Sequence, residues 1–595
     1  MAYVAPVKDQ EFLLNEVLDL GRHSNLPGFA DATPELTGQL LQEAARFCQE
    51  VLAPLNVVGD REGCRYDAAD ASVKTPTGFK DAYDTMVQSG WSALSVEPEW
   101  GGQGLPLVLN IAFNEMASSA NMAFAMYPGL THGAFSAIRE AGDDQQKQLY
   151  LAKLATGEWA GAMNLTEPQC GTDLGLIRTK AVKAGDGTWK ITGEKIWISG
   201  GEQDLTPNTI QLVLARTEGA PAGTRGLSLF IVPKFIPKDD GAPGERNAYR
   251  CAGLEEKMGI HGNATCVMAY EGATGWLLGE ETKGLRQMFI MMNEARLGVA
   301  VQGLAQGEAA YQAALAFARE RRQGRALKGP AEPDAPADSI LVHPDVRRML
   351  MDTKAVLEGG RALLYWTILH EDVAKGATDQ AERDAAEDVV ALLTPVLKSF
   401  LTDRGFRACS DALQVHGGSG FTKHFPAEQY LRDSRIAMIY EGTNGVQALD
   451  LVGRKLPQNG GRAMMSFLAE LDAAASEPAD ETIAPFAEAL KGAKAQLQEG
   501  SLWLMQNGMA DPDNAAAASH DYLNLLALTA LAYMWLKMAR VAQARVAAGD
   551  SDPFYANKLV TGRYFIERVL PDTASHLAKL KTGAGPVMAL PAEAF

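Results

Sequence analysis

The stretch MNLTEPQCGTDLG, residues 163–175, lies where the chain changes character, and its reading decides the fold. Before it, residues 36–159 carry apolar side chains at three- and four-residue spacing, with Gly/Pro interruptions such as PEWGGQGLP, the pattern of helices. After it, TWKITGEKIWIS, IQLVLAR, GLSLFIVP and ATCVMAY are short, β-branched or aromatic and separated by Gly, Pro and Asn, the pattern of strands. The stretch itself brings two hydroxyls (Thr166, Thr172), a glycine that frees the backbone (Gly171) and a proline that fixes a turn (Pro168). That combination suits hydrogen bonding to a planar polar ligand. Ordinary loop chemistry accounts for the same residues equally well.

Outward from this junction, long helical patterns return at Gly284 and run to about Val452, interrupted by KGPAEPDAPAD at 328–338, a surface linker by composition. PQNGGR, from Pro457, marks another boundary, beyond which the Ala/Leu-rich text is again helical. The expected domains are an N-terminal extension 1–35, a helical domain 36–159, a β domain 160–280, a helical bundle 281–456 and an additional helical domain 457–595. This α-β-α-α order is an α+β multidomain arrangement and not a doubly wound α/β pattern. The 595 residues, 47% hydrophobic and 22% charged, are those of a folded globular protein. A net charge of -18 argues against nucleic-acid binding, which needs clustered Lys and Arg.

Cysteines at 48, 64, 170, 251, 266 and 409 form no C-x-x-C pair, and the start lacks a basic, cleavable apolar leader. Both features predict a cytoplasmic protein with reduced thiols. The longest apolar helical run, 522–535, contains Asn524 and stops before Lys537; it is too short to span a bilayer and reads as a buried bundle helix. No H-E-x-x-H, Cys/His cluster or P-loop is present, so no metal is expected.

Three further stretches invite chemistry. GEKIWISGG, 193–201, sets Trp197 and Ser199 on one strand face, an aromatic wall beside a hydrogen-bond donor. HGGSGF, 416–421, is not G-x-G-x-x-G and follows a helical pattern, so it is not a Rossmann turn. Its glycines either let backbone approach a phosphate or simply end a helix. IYEGTNGVQ, 439–447, places Glu441 between an apolar run and a glycine. Shielded by Ile439 and Tyr440, that carboxyl would have its pKa raised toward the range of a general base. Read alone, it is more readily a turn glutamate near a helix start, as isolated acidic residues are usually solvated or capping.

Together these stretches resemble the acyl-CoA dehydrogenase family over residues 36–456. The family's L-T-E-P-x-x-G-[ST]-D matches LTEPQCGTD at 165–173, and G-x-K-x-[WF]-[IV]-[TS] matches GEKIWIS at 193–199. Q-x-x-G-G-x-G-[YF] matches 414–421, and R-D-x-R-I-x-x-I-Y-E-G-T matches 432–443. The resemblance implies a helical N-terminal domain, a middle β domain and a C-terminal four-helix bundle, with FAD as cofactor. It implies that Met163, Leu165, Thr166, Trp197 and Ser199 line the isoalloxazine ring, and that Gly171 and Thr172 lie near the pyrophosphate. Arg321, Gln414, Gly417 and Gly418 would contact a neighbouring subunit's FAD, and Thr443 and Gln447 the chain's own. RERRQGR, at 319–325, lacks the phenylalanine usual in the family's R-x-x-F-G.

By the same resemblance Glu441 is the base that removes the α-proton of an acyl-CoA thioester while the β-hydride passes to the flavin. The thioester oxygen would accept from the Glu441 backbone N–H. Thr172, Met292, Arg296 and Gly442 would contact substrate, Arg296 beside the CoA moiety. Some relatives carry the base on the helix after the β domain, where this chain has Ala295; Glu294 is about 100° away around that helix. The opening YVAPVKD and the extension past residue 457 resemble longer bacterial members, most nearly the group acting on 3-methylthiopropanoyl-CoA in dimethylsulfoniopropionate degradation. The expected reaction yields 3-(methylthio)acryloyl-CoA. A straight-chain fatty acyl-CoA dehydrogenase is the alternative, then an oxidase or a non-catalytic acyl-CoA-binding scaffold. Electron-transfer flavoprotein is the expected acceptor, and a homodimer the expected assembly.

Overall fold

The computed structural model describes residues 3–238 and 240–595, so the first two residues of the expected extension lie outside the described residues. The chain forms two units. Arg46–Asn110 and Met116–Gly298 make up one, here the β unit; Met1–Ala45, Ile111–Glu115 and Val299–Phe595 make up the other, the helical unit.

In the β unit a seven-stranded sheet is built from β1 (Ala160–Asn164), β2 (Lys180–Lys183), β3 (Trp189–Ser199), β4 (Thr209–Thr217), β5 (Leu227–Pro233), β6 (Tyr249–Leu254) and β7 (Thr265–Leu278). β7 pairs with β3, β3 with β2, β2 with β4, β4 with β5, and β5 again with β7, so five strands close a ring. β1 adds to β4 and β6 to β7. Successive side chains of a strand point to opposite faces, and β4 shows why its apolar run is continuous. Leu212 and Leu214 pack in a cluster with Phe135, Ile138, Leu151, Trp159 and Met288. Val213 and Ala215 pack in another with Trp189, Phe230 and Tyr270. Both faces are therefore buried, which removes the polar half of the alternation.

The helices of this unit have sequence-encoded limits. α1 (Leu107–Ala141) breaks at Asn121, whose φ of -161° is not helical and whose Oδ1 accepts from Phe124 N at 3.1 Å, starting a second segment. α2 (Asp144–Thr156) opens on a capping box of Asp143 and Gln146 and closes at Gly157, φ +80°. Gln146 Nε2 also donates to Leu277 O at 2.8 Å, which fastens the helix to β7.

The helical unit contains most of α3 (Gly284–Glu320), with α4 (Pro344–Gly376), α5 (Gln380–His416), α6 (Asn444–Asp450), α7 (Arg462–Ser476), α8 (Ala484–Ala510), α9 (Pro512–Ala547) and α10 (Pro553–Tyr564). The helices past residue 457 share a core with the bundle instead of standing apart. Trp535 of α9 is buried and its indole donates to Ala355 O of α4 at 3.1 Å. A Cβ on Gly359 would come within 2.7 Å of that indole nitrogen, so the approach of α9 to α4 needs the glycine.

The 522–535 run is the buried bundle helix expected of it, but longer. The apolar run around 522–535 belongs to a 36-residue helix, long and apolar enough to cross a membrane, but 83% of its apolar window is buried inside the chain. Its apolarity is that of a core helix. The 328–338 segment lies at the surface, as its composition predicts, but it is folded and not extended. The Asp338 side chain accepts from the backbone N–H of Ala326, Ala331 and Glu332 and from Arg325, which folds the segment around one carboxylate. These bonds hold its pKa well below the usual range.

A buried ionic cluster joins distant parts of the helical unit. Arg361 of α4 donates to Glu115 at 2.8 Å, Asp9 at 2.6 Å and Glu308 at 2.9 Å. Lys558 of α10 reaches Asp9 and, at 2.7 Å, Glu358. Tyr365 donates to the second Glu115 oxygen at 2.6 Å. The N-terminal segment and the C-terminal helices are thus tied to α4 by satisfied charges.

Candidate functional site

In the β unit, the 163–175 stretch and β3 form one hydrogen-bonded piece. Lys195 of β3 is buried and donates to Leu165 O and to Glu167, each at 2.9 Å. Glu167 further accepts from Arg178 N at 2.7 Å and Thr179 N at 3.0 Å. Burial alone would raise the Glu167 pKa; Lys195 and these donors overcome it and hold the carboxyl at about 2. The charged residues of the two stretches are therefore a lock between loop and strand. Ile196 N donates to Thr166 O at 2.9 Å, which sets Thr166 beside the end of β3.

That end carries a β-bulge opposite Cys266 and Met268, and Trp197 sits in it with φ +60°. Strict alternation from Ile191 and Lys195 would turn Trp197 inward. The bulge instead buries Ile198 and turns Trp197 outward, 60% exposed, with Ser199 half-buried on the same side. A left-handed conformation at a bulky residue costs about 1–3 kcal/mol and persists where the surroundings impose it, most often at functional sites.

Thr166 is half-buried, and Gly171 and Thr172 are exposed beyond it. Met163 is half-buried on β1. The Leu165 side chain packs into the core, which leaves only its backbone for a ligand. On α3, Met292 is half-buried and Arg296 is buried, its guanidinium 5.9 Å from the Phe289 ring centre. Glu294 pairs with His132 at 3.4 Å, a structural engagement for the carboxylate nearest the alternative base position.

In the helical unit, Glu441 occupies a tight turn with φ +57°, followed by Gly442 at +84°. Thr443 caps α6, its hydroxyl accepting from Val446 N at 3.2 Å. Gln447, buried, donates back to Glu441 O at 3.0 Å and Gly442 O at 3.3 Å. Lys398 of α5, also buried, donates to Gly442 O at 2.8 Å and Asn444 Oδ1 at 2.9 Å. Asn444 in turn donates to Asp403 at 2.7 Å. The strained turn is thus pinned from both sides. Ile439 is 47% exposed, and Glu441 itself is half-buried.

Arg321 directly follows α3, and Gln414, Gly417 and Gly418 lie at or just past the end of α5. Phe317, one turn before Arg321, stacks on His416 at 4.5 Å, which joins the end of α3 to the end of α5. Arg321, Gln414, Gly417 and Gly418 are exposed there. A Cβ on Gly417 or Gly418 would meet nothing within 4 Å, whereas one on Gly420 would lie 2.6 Å from Leu413 O. Gly420 is therefore required for packing and the other two leave bare backbone.

Sequence reading missed Lys398. Its signal is a lone charge in the apolar run PVLKSFL, where a cation survives only if paired or hydrogen-bonded. In the β unit the uncovered Trp197 side chain suits a planar ligand, and in the helical unit the bare Gly417–Gly418 backbone suits a phosphate.

Family models cover most of the chain: acyl-CoA dehydrogenase N-terminal domain at 35–158, middle domain at 162–273 and C-terminal domain at 282–456, and an acetyl-CoA dehydrogenase C-terminal-like domain at 466–591. Fold and motifs define an FAD-dependent oxidoreductase that dehydrogenates acyl-CoA thioesters. The chain belongs to the acyl-CoA dehydrogenase family. It is 42% identical to a 3-methylmercaptopropionyl-CoA dehydrogenase of Ruegeria pomeroyi, over 98% of this chain and 99% of that one. It is 34% identical to a broad-specificity linear acyl-CoA dehydrogenase, FadE5, of Mycobacterium tuberculosis, over 100% of both. Its fold is similar to that of an acyl-CoA dehydrogenase of Bacillus anthracis complexed with FAD, with TM-score 0.74, 22% identity and coverage of 92% of this chain and 88% of that one.

Proposed function

We propose that the chain dehydrogenates 3-methylthiopropanoyl-CoA to 3-(methylthio)acryloyl-CoA, with Glu441 as the base. What supports the substrate is the 42% identity, end to end, with the Ruegeria relative. What supports the base is the left-handed Glu441 turn held by Lys398 and Gln447. Bound FAD supplies the acceptor for the β-hydride. The Glu441 carboxylate takes the α-proton, and its backbone N–H donates to the thioester oxygen, which acidifies that proton. Gly442 lies against the substrate in the same turn, and Gln447 and Thr443 hold the turn while facing the cofactor.

In the β unit, Trp197 and Ser199, with Met163, Thr166 and the Leu165 backbone, form the proposed ring-binding face. Gly171 and Thr172 take the phosphates, Thr172 also touching substrate, and Met292 and Arg296 serve the acyl-CoA. Arg321, Gln414, Gly417 and Gly418 complete the FAD site of a second copy, which makes the assembly a homodimer. Electron-transfer flavoprotein is the proposed acceptor. A cytoplasmic setting rests on six cysteines that are all free. The domains fall at 1–35, 36–159, 160–280, 281–456 and 457–595, close to the family matches.

The full-length likeness to the linear-chain mycobacterial enzyme favours a second reading, straight-chain acyl-CoA. One methylene is worth only about 1–3 kcal/mol of discrimination, so butanoyl- and pentanoyl-CoA should also react. A kinetic panel of acyl-CoAs, with electron-transfer flavoprotein set against oxygen, decides. Highest kcat/KM for the methylthio or short-chain substrates is expected; highest kcat/KM for palmitoyl-CoA overturns the substrate reading.

A further inference from the structure

Asn444, which opens α6 just past the Glu441 turn, joins two opposite charges of α5. Lys398 Nζ donates to Asn444 Oδ1 at 2.9 Å and to Gly442 O at 2.8 Å. Asn444 Nδ2 donates to Asp403 Oδ1 at 2.7 Å and to Thr402 Oγ1 at 3.0 Å. Lys398 and Asn444 are buried, and Asp403 is half-buried. Lys398 and Thr402 lie one turn apart on α5 and Asp403 follows directly, so one helix presents all three to the start of α6.

The order of these charges fixes the amide. The ammonium stands at its carbonyl end and the carboxylate at its amino end, so each end meets a group it can bond. Turned over, the amide would set its N–H groups against the ammonium and its carbonyl against the carboxylate. Both bonds would then be lost in a buried site, where unmade polar contacts are costly. Holding the Asn444 side chain holds the first residue of α6, two positions past Gly442. The additional helical domain bears on the same place. Its helix α9 packs against both α5 and α6, and His520 of α9 faces Asp403. Asn524, one turn further along α9, donates to His520 O at 2.9 Å. Burial pushes the Asp403 pKa up, and Asn444, His520, Lys398 and Arg404 draw it back. The short bond of this costly carboxylate is directed at Asn444.

We propose that Asp403 is a positioning residue for the dehydrogenation: its carboxylate orients Asn444, Asn444 orients Lys398, and Lys398 holds the Gly442 carbonyl so that the Glu441 turn keeps its left-handed shape. The inference rests on the reading of Glu441 as the base. Asp403 acts through two side chains, and its charge is what the series needs, because a neutral group of the same shape no longer distinguishes the two ends of the Asn444 amide.

Anaerobic rapid mixing of the FAD-loaded full chain with butanoyl-CoA and with 3-methylthiopropanoyl-CoA, followed at the flavin bands, gives the limiting reduction rate and the acyl-CoA dissociation constant separately. Asp403→Asn should lower the limiting rate about tenfold and leave the dissociation constant within about twofold, since a shift of about 1 Å at the base can cost up to about 10²-fold in rate. Asp403→Ala takes its place if that variant does not fold. Combined with Lys398→Met, Asp403→Asn should slow the enzyme no further than Lys398→Met does alone, because residues acting in series are not additive. Reduction at the parent rate in Asp403→Asn overturns the positioning role. So does a double variant slowed by the product of the two single losses, which is what a merely structural Asp403 would give. Glu441→Gln in the same assay keeps the two readings apart. Slow reduction there, beside parent-rate reduction in Asp403→Asn, removes the positioning role alone; parent-rate reduction in Glu441→Gln removes the base and the positioning role with it.

Discussion

Glu115 and Glu441 are both glutamates of the helical unit, yet their surroundings are opposite. Glu115 is buried in regular helix, with one oxygen on Arg361 and the other on Tyr365. Glu441 is half-buried in a left-handed turn whose strain is borne by the donors behind it, Lys398 and Gln447. The first arrangement fixes a charge so that it holds elements together. The second spends hydrogen bonds on the backbone of the turn, which fixes where the carboxylate stands. The β unit repeats the contrast, with Glu167 locked to Lys195 while Trp197 stands strained and uncovered.

The contrast breaks if the two glutamates respond alike to substitution. Glu441→Gln should lower turnover about 10²–10⁴-fold, the usual range for loss of a general base, with thermal unfolding unchanged. Glu115→Gln should do the reverse. It strips charge compensation from buried Arg361, and breaking such a pair costs about 3–5 kcal/mol, read as a lower denaturant midpoint with the remaining folded enzyme still active.

The Glu167 lock sharpens the comparison through pH. Its carboxyl titrates at about 2 in the folded chain against 4.5 unperturbed. A depressed carboxyl pKa contributes stability that is present above the unperturbed value and is lost as pH falls toward the folded one. The shift corresponds to on the order of 3 kcal/mol. Stability should therefore decline between pH 4.5 and 2 in the parent, and Glu167→Gln, less stable at neutral pH, should show a flatter acid limb in pH-dependent unfolding.

Lys398→Met tests whether the turn needs its support. Two acceptors lose a buried donor, at about 1–3 kcal/mol. Displacing Glu441 by about 1 Å can cost up to about 10²-fold in rate. A combined fall in stability and kcat, with FAD occupancy retained, is expected. The smallest effect concerns Trp197→Asn. Asn tolerates the left-handed region, so stability should rise by about 1 kcal/mol while FAD occupancy falls. A Trp197→Asn chain that holds FAD as well as the parent would detach the strain from the cofactor.

Much of this was legible in the sequence because it is local. The switch from helical spacing to short β-branched runs marks the strands of the closed sheet, and LTEPQCGTD, GEKIWIS and IYEGT place the candidate residues within a few positions of one another. What escaped reading is non-local. Asp9, Glu115, Glu308, Arg361 and Lys558 meet across the chain with no spacing to announce it. Lys398 reaches a turn 44 residues away, and the link from Phe317 to His416 depends on two helix ends meeting.

The central claim, that Glu441 is the base, is tested most directly by rapid anaerobic mixing of FAD-loaded Glu441→Gln with 3-methylthiopropanoyl-CoA and with butanoyl-CoA, followed at the flavin absorption bands. The account predicts a protein that keeps its flavin colour and binds acyl-CoA but bleaches at least 10²-fold more slowly than the parent. Bleaching at the parent rate with either substrate would contradict it.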